Sequence, residues 1–219
     1  MAKIGVVLAG CGVYDGSEIY ETVITLLTLN RAGAEIVCMA PDMEQGVVNH
    51  LTGETVENST RNVLEEAARL ARGNISDMAK VKAADIDALI IPGGFGAAKN
   101  LCTFAFKGPD CEVQPEVARL IREVVAAKKP LAALCIAPAV VSKVLGTDKL
   151  THTLTIGTDP ATAEAVTSMG STHVDCSARD CVIDKENKLV TSPAYMLAGS
   201  IGEAADGIEK AVAAVLEML

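Results

Sequence analysis

The stretch Lys129–Leu145 reads KPLAALCIAPAVVSKVL and constrains the chain more than any other. Leu131–Leu134 is an apolar run of strand length, and Ala137–Leu145 continues with apolar residues at helical spacing, ending in Gly146. Between them stands one thiol, Cys135, with Ala133 and Ala137 two residues to either side. A strand that turns sharply into a helix leaves almost no room beside the turning residue, so small neighbours are the steric requirement of a nucleophile elbow. Such a turn aims its side chain out of the sheet and toward the positive end of the helix, where a thiolate is stabilised. A buried core cysteine fits the same residues. On this stretch alone both readings stand.

The rest of the chain repeats the strand-then-helix grammar. Lys3–Ala9 reads as a buried strand closed by the turn Gly10-Cys11-Gly12; Ser17 caps a helix to about Ala32, and Glu35–Ala40 is a second strand. Pro41–Val56 reads as a long polar loop carrying His50, and Asn58–Arg72 as an amphipathic helix. Asp87–Ile91 is a buried strand ending at Pro92-Gly93-Gly94; a short helix Gly96–Leu101, a loop Cys102–Val113 and a helix from Pro115 to Lys128 follow. Beyond Gly146 the pattern predicts a strand Thr153–Ile156, a helix Pro160–Met169 capped by Asp159, and short strands Val174–Cys176, Cys181–Asp184 and Leu189–Thr191. The last two form a hairpin through Lys185-Glu186-Asn187. A final helix, Ser200–Leu219, buries Ile201, Ala205, Ile208, Val212, Val215 and Leu216. The order predicts one α/β domain over residues 1–219, a three-layer α/β/α sandwich with a mainly parallel sheet and a small late β-hairpin.

Composition agrees. Half of the 219 residues are hydrophobic but only 3% are aromatic and none is Trp, so the core is built of Ala, Val, Ile and Leu, which suits a parallel sheet covered by helices. A net charge of −9 argues against nucleic acid and anionic membranes as partners. No run reaches the roughly 18 apolar residues that a spanning helix needs. The start, MAKIGVVLAG, enters directly into a strand, and seven cysteines without framework spacing point to a reducing compartment; together these give a cytoplasmic expectation.

In open α/β sheets, sites form beyond the carboxyl ends of the strands. Three such ends are unusual here: Gly10–Gly16, Pro92–Gly96 and Cys135. Gly93 and Gly94 let backbone approach a ligand and, with the Ile136 N–H, would make an oxyanion hole; a turn needing positive φ explains the same glycines. Glu21, one turn into the first helix, is a candidate proton donor to a thiolate and shuttle beside it, and Glu18 competes for that role. Two carboxyls so close favour protonation of one. Ile136 stands where a neighbouring His would serve the thiol. A Cys–His pair needs a distant imidazole, and His50 is better placed than His152 or His173. Cys11 is either packed or a resolving thiol. Cys176 and Cys181 lack companions for a metal site, and Gly10-Cys11-Gly12 lacks both the dinucleotide fingerprint and a phosphate-loop Lys. The residues call for no metal and no cofactor.

The segments Gly16–Val23, Pro92–Leu101 and Leu134-Cys135-Ile136-Ala137-Pro138 resemble the three site segments of the class I glutamine amidotransferase-like, PfpI/deglycase superfamily. Asn49–Glu54, Thr60–Leu64, Thr155–Asp159 and Ser192–Leu197, with Ser17-Glu18-Ile19, are similar to its glyoxalase ElbB branch, the isoprenoid biosynthesis proteins with an amidotransferase-like domain. The resemblance spans nearly the whole chain. It implies a flavodoxin-like sandwich, a homodimer, a Cys nucleophile at Cys135 and a Glu contacting it at Glu21. It also implies action on small dicarbonyls of the glyoxal type, or on their protein adducts. Ile136 departs from members that carry a His beside the Cys, which counts against amidotransfer and peptide hydrolysis. Two alternatives stay open: a redox-sensing or regulatory protein using an oxidisable Cys135, and a hydrolase or ammonia-handling subunit with His50 or His152 within reach of the thiol.

Overall fold

A computed structural model describes residues 1–219. In chain order the elements are β1 (Lys3–Val7), α1 (Ile19–Arg31), β2 (Glu35–Ala40), β3 (Glu44–Val48), β4 (Thr55–Asn62), α2 (Val63–Leu70), β5 (Ser76–Asp77) and β6 (Ala88–Ile91). Then come α3 (Phe95–Lys99), α4 (Phe104–Lys107), α5 (Pro115–Ala126), β7 (Leu131–Leu134), α6 (Pro138–Thr147), β8 (His152–Leu154), α7 (Pro160–Ser168), β9 (Ser171–His173), β10 (Val182–Asp184), β11 (Leu189–Ser192) and α8 (Ile201–Glu217). Seven strands form one sheet in the order β10-β11-β7-β6-β1-β2-β5, parallel throughout except for the antiparallel edge pair β10–β11.

The period-2 alternation of each strand divides its residues between two cores. Ile4, Val6, Ala88, Ile90, Ala132 and Leu134 face the layer that includes α1, α2 and α8. Val7, Leu89, Ile91, Leu131 and Ala133 face the layer that includes α5 and α6. Both faces are buried, so the strands read as continuous apolar runs, as parallel sheets require. The small side chains of β7 let helices seat closely on both sides. No helix is long and apolar enough to cross a membrane.

Several expected elements differ. Pro41–Val56 is not a loop: β3 and β4 form a separate antiparallel hairpin with a bulge between Gly46 and Val48. The expected helix over Asn58–Arg72 begins only at Val63, because Asn58–Asn62 belongs to β4 and the Asn62 side chain caps the helix by accepting from Glu65 N. Polar Thr, Asn and Glu on an exposed ribbon leave no alternation to read. The cap of α1 is Glu18 and not Ser17; Ser17 Oγ accepts from Ala9 N at 2.8 Å. Gly146 does not end α6. It lies inside the helix, where a Cβ would stand 1.6 Å from the Met169 carbonyl oxygen, so it serves close contact and not termination. The strand expected at Val174–Cys176 lies earlier, at Ser171–His173, paired parallel to β8. Ile201 is 49% exposed rather than buried.

Candidate active site

The carboxyl ends of β1, β6 and β7 lie side by side in the sheet, and their following turns interlock. Glu18 N–H donates to Gly93 O at 2.9 Å, and Phe95 N–H donates to Val13 O at 2.8 Å. Asn100 Nδ2 donates to both Ala9 O and Asp15 O, fastening the two ends of the first glycine turn. Gly94 has φ +94°, and a Cβ there would lie 2.3 Å from Glu18 N. No side chain fits.

Cys135 sits between β7 and α6 with φ +58°, a left-handed conformation that costs a non-glycine residue energy and is held where the surroundings over-determine it. Its N–H donates to Ser192 O at 2.9 Å, which ties the turn to β11. Ala133 and Ala137 are fully buried on either side. The residue is 7% exposed, and the Gly94 and Ile136 N–H groups both face its sulfur.

Glu21 is fully buried. Gly93 N–H donates to its Oε2 at 2.8 Å and Tyr195 N–H to its Oε1 at 3.1 Å, while its carboxyl lies close enough to the Cys135 thiol for each to perturb the other's titration. Gly93 must be glycine here: a Cβ would fall 2.4 Å from Cys135 Cβ and 2.8 Å from Glu21 Oε2. Burial raises the Glu21 carboxyl to about 7; the nearby Glu18 carboxylate adds to this, and the two N–H groups and the thiol pull it back. Burial, and then the Glu21 charge, push the Cys135 thiol well above its ordinary range, against the pull of the Gly94 and Ile136 N–H groups. The pair therefore resists carrying two negative charges and titrates as a unit. The resting thiolate expected from the helix end alone is not what these surroundings favour.

The structure thus brings Cys135, Glu21, Gly93, Gly94 and Ile136 together, with Glu18 beside them, and engages the candidate histidines and Cys11 elsewhere. Gly93 differs from its expected oxyanion role, since its N–H is taken by Glu21. Glu18 caps its own helix, Oε2 accepting from Glu21 N at 2.7 Å. His50 has both ring nitrogens engaged, Nδ1 with Val48 O at 3.1 Å and Nε2 with Tyr14 N at 3.2 Å, beside Asp15. His152 is buried between Leu150 O and Ser171 Oγ, and His173 Nε2 accepts from Ile156 N. No imidazole is among the groups that chiefly perturb the thiol. Cys11 is half-buried, perturbed after burial by Glu66, Arg69, Asp15 and Arg61. No group of three or more His, Cys, Asp or Glu side chains is arranged to hold a metal ion. Sequence reasoning missed Tyr195, whose backbone N–H comes from a residue 174 positions away from the carboxyl it holds.

This strand–nucleophile–helix geometry, served by a buried Glu from α1, occurs in a chain whose residues 8–198 match the DJ-1/PfpI family. The chain belongs to the DJ-1/PfpI family. Among relatives, the "ES1 protein homolog, mitochondrial" of Rattus norvegicus is 45% identical, the alignment covering 99% of this chain and 84% of that protein. The human "Glutamine amidotransferase-like class 1 domain-containing protein 3, mitochondrial" is also 45% identical, with 99% and 83% covered. Among solved structures, an isoprenoid biosynthesis protein with an amidotransferase-like domain from Ehrlichia chaffeensis superposes with a TM-score of 0.93 at 37% identity, covering 100% of this chain and 99% of that one. Drosophila melanogaster DJ-1beta, at 22% identity and a TM-score of 0.58, shares the fold. These relatives overturn the cytoplasmic expectation, because two mitochondrial proteins match nearly full length. Free cysteines report a reducing compartment without saying which one.

Proposed function

We propose that this DJ-1/PfpI protein converts glyoxal-type dicarbonyls to the corresponding hydroxy acids without a cofactor. The observation that carries the reading is the buried Glu21 carboxyl, raised to about 7, held by the Gly93 and Tyr195 N–H groups and set beside the Cys135 thiol. A carboxyl with that poise both takes and returns protons at neutral pH. Glu21 accepts the thiol proton as the sulfur attacks one aldehyde carbon, and the Gly94 and Ile136 N–H groups hold the developing alkoxide. Glu21 returns that proton to the alkoxide, leaving a hemithioacetal. It then removes the hydrogen from the same carbon to give an enediolate and delivers it to the second carbon, while the proton on the first oxygen passes to the second oxygen. The product is a glycolyl thioester on Cys135, which water hydrolyses to glycolate. The second carbon is reduced as the first is oxidised, so glyoxal plus water accounts for every atom and electron.

The small exposure of Cys135 supports a two- or three-carbon substrate over a bulky protein adduct. A homodimer belongs to the same reading: α1 presents Tyr20, Val23 and Leu27 to the surface, 49%, 48% and 43% exposed on one side of the helix. The test is purified protein with glyoxal, glycolate being measured directly. Glycolate from the wild type and none from Cys135→Ala is expected. Turnover equal to wild type in that variant overturns the mechanism, and no glycolate from either, with peroxide-dependent oxygen addition at Cys135, favours the redox-sensing alternative.

A further inference from the structure

A second pair of reactive groups lies outside the site and takes no part in the proposed turnover. Between α3 and α5 the chain folds back on itself. Thr103 N–H donates to Glu112 O at 3.0 Å and Gln114 N–H to Leu101 O at 2.9 Å, pairing Cys102 with Val113 in an antiparallel bridge. Side chains on paired strands share a face at every second residue, so Cys111 stands beside Val113 on the face that carries Cys102. Both side chains lie in the same buried cluster, and each thiol is the strongest influence on the other's titration, so the two sulfur atoms are neighbours. Cys102 Sγ also lies 3.5 Å from Ala97 O, and Cys111 Sγ 3.9 Å from Met169 Sδ.

Their surroundings are not those of two inert packed cysteines. Each is 2% exposed or less, yet Cys111 lines a surface cavity of 430 Å³ together with the cations Lys143 and Arg122. Arg122 is matched by a two-pronged bond to Asp148, whereas Lys143 Nζ holds only the Pro109 carbonyl, within the segment between the two thiols. The neighbouring Cys102 thiol lowers the Cys111 thiol to about 7 against the effect of burial, and Lys143 lowers it further. The same contact raises Cys102.

We infer that Cys102 and Cys111 form a disulfide on exposure to a hydroperoxide, making this bridge a reversible oxidation site independent of Cys135. The Cys111 thiolate attacks the peroxide O–O bond; an S–O bond forms, hydroxide leaves and takes up a proton. The Cys102 sulfur then attacks the Cys111 sulfenic acid, giving the S–S bond as the S–O bond breaks and water departs. Two thiols lose two hydrogens and two electrons, and one hydrogen peroxide becomes two waters. The bridge would then fasten the segment after α3, the helix that Gly94 caps, to the segment before α5.

The test is the reduced full chain treated with stoichiometric hydrogen peroxide, alkylated, digested and mapped by mass spectrometry. A cross-linked Cys102–Cys111 peptide, lighter by two hydrogens and lost on dithiothreitol treatment, is expected in the wild type and at an unchanged rate in Cys135→Ser. Cys102→Ser should give no cross-link and a dione-trapped sulfenic acid on Cys111. Alkylation of both Cys102 and Cys111 in peroxide-treated wild type, or a cross-link that depends on Cys135, overturns the inference. The readout is the wild-type peptide map, so its failure leaves the glyoxal reaction standing, and the reverse holds too.

Discussion

Cys135 and Cys111 are 7% and 1% exposed, yet their surroundings pull the two thiols in opposite directions. Burial, and then the Glu21 carboxyl, push the Cys135 thiol up; the neighbouring Cys102 thiol and Lys143 pull the Cys111 thiol down against its burial. Burial alone therefore says little about a cysteine's chemistry, because the neighbouring charge decides which proton is held. The low thiol meets a strong electrophile unaided. The high one needs a base in contact, the role proposed above for Glu21.

Substitutions break this comparison most sharply at the sulfur atoms. Cys135→Ala should lower glyoxal turnover by about 10⁴-fold or more, as loss of a nucleophile does, while Cys111→Ser leaves kcat within about twofold. Equal losses in the two variants would sink the division of labour. Glu21→Gln should lower kcat by about 10²–10⁴-fold with a smaller change in KM, the usual range for losing an acid–base group. It should also remove the rise of kcat/KM with pH centred near 7 in the wild type, a rise set by Glu21 deprotonation. A pH profile that keeps that limb in the variant assigns the base elsewhere.

Gly93→Ala sharpens the geometric side. The added methyl meets Cys135 Cβ and Glu21 Oε2, so a loss of about 1–3 kcal/mol in urea-denaturation stability is expected, with a fall in kcat. The next effect belongs to pH. Glu21 has its pKa raised on folding from 4.5 to about 7, so the native state holds a proton that the unfolded chain has released. Its contribution should lower stability as pH rises through that window, by about 3 kcal/mol in all, since each pH unit is worth about 1.4 kcal/mol. Denaturation midpoints at pH 5 and pH 8 check the sign. Last and smallest, His50→Ala should leave glycolate formation within a few-fold, because both ring nitrogens serve the local backbone.

Much of the frame was legible because parallel strands buried on both faces are continuous apolar runs: β1, β2, β6 and β7 stand where Lys3–Ala9, Glu35–Ala40, Asp87–Ile91 and Leu131–Leu134 predict them. The β3–β4 hairpin was not, since β4 is mostly exposed and its side chains carry no apolar alternation. At the site, Cys135 and Gly94 were visible from local sterics, small neighbours in one case and a glycine pair in the other. The residue pattern nominates Glu21 without separating it from Glu18, because both stand near the start of α1, and only the family resemblance singles out Glu21. What separates them is a pair of backbone donors, Gly93 and Tyr195, that only tertiary folding supplies. A backbone N–H has no signature in any side chain, so Tyr195 left no mark at that level.

The tether from Tyr195 to Glu21 has a consequence for synthesis. On the ribosome, residues 1–150 contain the thiol, the carboxyl and both glycines, but neither Ser192 O, which accepts from the Cys135 N–H, nor the Tyr195 N–H. The elbow and the Glu21 carboxyl are therefore clamped only when Ser192 and Tyr195 have emerged and β11 has docked beside β7. A chain that stops short of β11 would expose the cysteine with its Glu21 neighbour untethered, so the docking of β11 is what closes the elbow.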